Sequence, residues 1–144
     1  RHATMGADVH VVIEKNIGDK WVGVIYSGCP FIEYTFDNPS DFERLFMRNY
    51  PFFALLAQVR GSGPDSEPPR GLPNDLSDLA KHEIANWGRD GHSHSWHTLD
   101  EYVKKLLCAG VQRQLQGGYP VREFFRHLPS ELWSDYRVIF WFDN

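Results

Sequence analysis

The densest group of chemistry-bearing side chains is the run Asp90-Gly91-His92-Ser93-His94-Ser95-Trp96-His97. In an extended segment, residues two apart project to the same side, so His92 and His94 are expected to present two imidazoles together. Imidazole nitrogens suit Zn, Cu, Fe or Ni, and a carboxylate such as Asp90 or Asp8 would complete a mononuclear or binuclear site. A divalent ion held there, Zn or Mn, would acidify its bound water enough to attack a phosphoryl or acyl centre near neutral pH. Asp90, His92 and His94 are the expected metal ligands, with His97 as general acid/base beside them. The competing reading is structural: Asp90 is a turn residue before Gly91, the histidines donate hydrogen bonds and Trp96 packs on the core. The spacing also differs from zinc-finger and His-Glu-x-x-His patterns.

Asp8 and His10 form a second pair. Val9, Val11 and Ile13 supply one buried strand face, which leaves Asp8 and His10 on the other, free to border a pocket; an Asp there orients a His or shares a metal with it. Both are catalytic candidates, set against a reading in which they are solvated edge residues. Arg70 is presented by the stiff frame Arg70-Gly71-Leu72-Pro73, and its planar fork matches phosphate or carboxylate. Arg48, Asn49, Tyr50 and Trp96 are the other ligand-binding candidates; Arg60 and Arg89 add nearby positive charge, and Phe31 is a further aromatic anchor. Ser93 and Ser95 adjoin histidines, but adjacency is not triad geometry. Phosphate-loop, dinucleotide-binding and nucleophile-elbow motifs are missing from the sequence.

These residues need a scaffold, and the composition bounds it. The chain has 144 residues, which suits one domain, and its 15% aromatic content favours a packed core. A formal charge of −4 argues against general nucleic-acid binding, which draws on clustered Lys and Arg. Two cysteines, Cys29 and Cys108, are too few for a disulfide framework and read as buried small hydrophobes in a reducing compartment. No apolar run approaches the ~20 residues of a membrane span, and no secretory signal is evident. Residues 1–4, ahead of Met5, read as an expression remnant, so 5–144 is expected to be one cytoplasmic domain.

Alternation from Ala7 to Ile13, turn residues at Asn16 to Asp19 and a β-branched run from Lys20 to Tyr26 predict a hairpin. A Ser40-x-x-Glu43 capping box starts a helix, and a second short helix after Arg48-Asn49-Tyr50 tolerates Pro51 in its first turn and runs to Gly61. Three Gly and four Pro between Gly61 and Asn74 predict a loop, one of a length often tied to function. A helix capped by Ser77 follows, with Leu76, Leu79, Ile84 and Trp87 on one face and Gly88 at its end. Thr98-x-x-Glu101 caps another helix to about Gly110; a short helix is expected over 121–128 and a last strand from Arg137 to Asp143. The expected fold is α+β: a small antiparallel or mixed sheet, built from the N-terminal hairpin and the C-terminal strand, covered by several short helices.

With these residues in view, the chain resembles a family of small uncharacterised proteins encoded by bacteriophages and prophages. The resemblance rests on Met5-Gly6-Ala7-Asp8-Val9-His10, Arg48-Asn49-Tyr50 with Phe53-Ala54, Arg70-Gly71-Leu72-Pro73, Asp90 to Trp96, and the closing Phe140-Trp141-Phe142-Asp143-Asn144. The family commonly has Cys at the place of Ala7 and Ile at that of Val9, so a Cys ligand at that position is not part of any site here. The resemblance implies a phage accessory protein in the cytoplasm of a bacterial host. The expected activity is metal-assisted hydrolysis of a small phosphorylated or nucleotide-like substrate. The alternative is a non-enzymatic protein that sequesters a signalling nucleotide or inhibits a host defence protein. A third reading, a structural component, leaves the histidines to tie the last helices to the sheet. Expected partners are therefore a small anionic molecule or a host protein.

Overall fold

A computed structural model describes residues 6–24, 50–109 and 130–143. The helix expected from Ser40, the one expected over 121–128, and Phe31, Arg48, Asn49 and Cys29 lie outside the described residues. Strand β1 (Asp8–Ile17) turns through Gly18 and Asp19, both at positive φ (58° and 66°), into β2 (Lys20–Val24). Ile17 pairs with Lys20, so this is the two-residue hairpin whose left-handed turn matches strand twist. The chain then supplies α1 (Tyr50–Ala57), α2 (Asp78–Trp87), β3 (Gly91–Thr98), α3 (Leu99–Cys108) and β4 (Tyr136–Asp143). The four strands make one antiparallel sheet in the order β2-β1-β4-β3.

β4 is central, and all eight of its residues are buried because both faces of the sheet are covered. On one face Val9, Val11, Ile13, Val138, Phe140 and Phe142 pack with Phe52, Phe53 and Leu56 of α1 and Leu99, Tyr102, Val103 and Leu106 of α3. On the other, Val12, Ile139 and Trp141 pack with Ala80, Leu79, Ile84 and Trp87 of α2. A strand buried on both sides reads as a continuous apolar run, as Val138 to Phe142 does. The α+β architecture expected from the sequence is therefore present, with β3 as a fourth strand. α1 stops at Ala57 and not at Gly61, since Gln58 and Arg60 take positive φ (57° and 60°) and lead the chain into the loop.

The caps fold as their residue types dictate. Ser77 accepts the Ala80 N–H at 3.1 Å, and Gly88 closes α2 at φ 53°. Thr98 and Glu101 satisfy each other's backbone N–H groups at 3.2 and 3.0 Å, a reciprocal capping box at the start of α3. Beneath α2, the fully buried Glu14 pairs with Arg137 and accepts the Ser77 N–H at 2.7 Å. Arg137 also reaches Asp75 and lies 4.1 Å from the centroid of the Trp21 ring, so one paired charge ties the end of the long loop to the sheet. Cys108 is exposed, contrary to the expected burial, because it falls on the solvent side of α3.

Candidate functional site

β3 carries one residue more than the stretch of β4 it faces. Pairing runs from His92 opposite Phe142 to Ser95 opposite Phe140, and Ser93 takes the left-handed conformation at φ 56°. An extra residue reverses the alternation of a strand. His92 accordingly lies against Phe142 on the α1/α3 side (6.5 Å between ring centroids), while His94 stacks on Trp141 on the α2 side (6.3 Å, 19° between planes). The expected side-by-side placement of His92 and His94 is thereby corrected: the bulge sends them to opposite faces. Asp90 is exposed in a single 3-10 turn (Gly88–Asp90). Among the described residues no three His, Cys, Asp or Glu side chains converge as a metal-holding group.

Asp8 and His10 do share a strand face, but that face is not open. α2 covers it, leaving His10 at 7% exposure. His10 Nε2 lies 2.9 Å from Asp143 Oδ1, and the ring sits 3.9 Å from that of Trp87 and 6.0 Å from that of Trp141. Asp143 pairs across the sheet with both Asp8 and Gly91. A Cβ on Gly91 would approach Trp141 Cδ1 to 3.1 Å and His94 Nε2 to 3.5 Å, so His10, Trp87, Trp141, Gly91 and His94 form one packed row at this end of the sheet. One ring nitrogen of His10 thus has a carboxylate within hydrogen-bond distance, which holds the ring in place. Burial lowers the His94 pKa, and the charge of nearby His92 lowers it further.

His97, Arg70 and Trp96 belong to a different assembly, in which the long loop clasps the exposed edge of β3. Gly71 N–H donates to the His94 carbonyl at 3.0 Å, and Arg70 N–H to Ser95 Oγ at 2.9 Å. The Arg70 guanidinium binds both Glu101 oxygens at 2.9 and 3.0 Å, contacts Glu67 and lies 5.4 Å from the centroid of the Trp96 ring. Its donors are thus engaged within the protein, and an anionic ligand would have to displace a carboxylate. Arg70 hydrogen bonding, with help from Thr98 and against the opposing effect of burial, holds the Glu101 carboxyl down to about 2. Burial pushes the Glu67 carboxyl up, but the hydrogen bond and charge of Lys105 and the charges of Arg70 and His97 bring it below its ordinary value.

His97 is fully buried. Glu67 Oε1 comes within 2.8 Å of its Nε2 but not in hydrogen-bond alignment, so both ring nitrogens are buried without a hydrogen-bond partner. Burial first, then the charges of Arg70 and Lys105, lower its pKa to about 4 despite Glu67 and Glu101. Tyr50 serves packing: its hydroxyl accepts the Ala7 N–H at 3.2 Å, and its ring meets Phe53 and Arg60. A separate pocket of about 230 Å³ lies between α1 and the loop, lined by Pro51, Ala54, Leu55 and residues 62–66; none of the expected site residues lines it.

Sequence reasoning overlooked Asp143, Trp87, Glu67 and Glu101 as partners of these histidines. Asp143 is 133 residues from His10, and no spacing signal joins them. Glu101 was legible as a capping residue but not as the holder of Arg70. Set against known protein families, curated proteins and solved structures, the chain matches none.

Proposed function

We propose that this chain is a phage-type accessory protein that hydrolyses a small phosphorylated or nucleotide-like substrate, with His10 and Asp143 as its general acid–base pair. The observation that carries the reading is the 2.9 Å contact between the two side chains, which retain 9% and 12% exposure beside the half-buried Trp87. A carboxylate on one imidazole nitrogen fixes the tautomer and orients the other nitrogen, the arrangement a proton-transfer residue needs. Trp87 adds a flat apolar surface next to the pair, suited to a nucleobase. The phage context comes from the sequence resemblance.

The test is turnover of nitrophenyl phosphate esters and common nucleotides by the purified chain, with and without added Zn or Mn. His10→Gln is expected to lower turnover by about 10²–10⁴-fold, with Asp143→Asn less severe and circular dichroism showing both variants folded. Turnover that survives both substitutions overturns the assignment. Recovery of an unaltered bound nucleotide, with no turnover, would favour sequestration over catalysis.

A further inference from the structure

We propose that Ser93 is a nucleophile activated by His92, giving the chain a serine-esterase activity at the bulge of β3. Ser93 Oγ lies 2.9 Å from His92 Nδ1, and both residues are partly exposed. Neighbours in a regular strand point to opposite faces, so these two side chains would not ordinarily meet. They meet because Ser93 is turned to φ 56°, a backbone conformation that disfavours every residue with a Cβ and that glycine would adopt freely. Bulges recur beside active sites, where they re-aim a side chain, and strained backbone clusters at such sites. The buried Phe142 against the His92 ring supplies an apolar wall for that imidazole. The inference does not rest on the His10–Asp143 reading, whose side chains belong to other strands.

The reaction is acyl transfer from a carboxylic ester. With its own proton on Nε2, His92 accepts the Ser93 hydroxyl proton at Nδ1 as Oγ bonds to the carbonyl carbon. The tetrahedral adduct collapses, the bond from carbon to the alcohol oxygen breaks, and the imidazolium returns the proton to that oxygen. Water then adds to the acyl carbon as Nδ1 takes its proton; the bond from carbon to Oγ breaks, the acid leaves, and the imidazolium returns the proton to Ser93 Oγ.

The test uses the full chain and a fluorophosphonate probe, in which the Oγ–P bond forms, the P–F bond breaks and fluoride leaves. Peptide mapping is expected to place one adduct per chain on Ser93. His92→Gln is expected to slow labelling by about 10²–10⁴-fold. Ser93→Gly should abolish labelling while melting at or above the parent temperature, since glycine suits the left-handed position. A burst of nitrophenol from nitrophenyl acetate, lost in Ser93→Gly, is the second readout. No adduct on Ser93, or a labelling rate unaltered by His92→Gln, overturns the proposal.

Discussion

Substituting His97 by Gln tests the loop clasp through its pH dependence. In the unfolded chain His97 titrates near its ordinary value of 6.5; in the folded protein burial and the charges of Arg70 and Lys105 hold it at about 4. Between those values the unfolded chain binds a proton that the folded protein refuses. Stability from this group is therefore complete above pH 6.5 and lost as pH falls through 4. The fully buried side chain makes the loss about 3 kcal/mol in all, of which roughly 2.5 kcal/mol has gone by about pH 4.5. Urea unfolding followed by tryptophan fluorescence at about pH 7 and about pH 4.5 measures it. Gln lowers stability at both values by leaving a buried amide, but it does not titrate, so the fall between them should shrink by roughly 2.5 kcal/mol. An equal fall in both proteins, or an NMR titration of the folded His97 ring near its ordinary value, would refute the reasoning.

Two further predictions concern the scaffold. Gly23→Ala places a Cβ 2.5 Å from Leu79 Cβ, forcing β2 and α2 apart; the expected cost is about 1–3 kcal/mol, whereas Gly63→Ala, with nothing within 4 Å, should melt like the parent. Equal melting temperatures for the two variants would contradict the close packing of α2. Arg70→Lys keeps the charge but loses the fork that grips Glu101, so the Gly71 amide should exchange its hydrogen faster for a stability loss of about 1 kcal/mol. Unchanged exchange would mean that the two backbone-side bonds to His94 and Ser95 hold the loop without the guanidinium.

Where the signal is local, the chain declares its structure openly. Alternating Val and Ile in β1, the Gly18-Asp19 turn, the Ser77 and Thr98 caps and the apolar face of α2 each depend on residues within a few positions of one another. The fold class follows from those elements. β3 was harder to foresee, because Gly91-His92-Ser93-His94-Ser95 has no β-branched residue and owes its strand form to the edge of β4. Strict alternation then misplaced His92 relative to His94, since one left-handed serine resets the register and nothing in the residue types announces it.

By itself the sequence determined that Asp8 and His10 share a face, and it marked out the Ser77 and Thr98 helix caps and the hairpin around which the candidate side chains are arranged. Tertiary structure alone decided what each meets: Asp143 beside His10, Ser93 turned onto His92, Arg70 locked to Glu101, and His97 buried among charges. The division has a physical cause. Turns and caps satisfy hydrogen bonds between near neighbours, whereas these contacts depend on strand register and on a long loop docking to an edge, which are settled by the packing of the whole sheet.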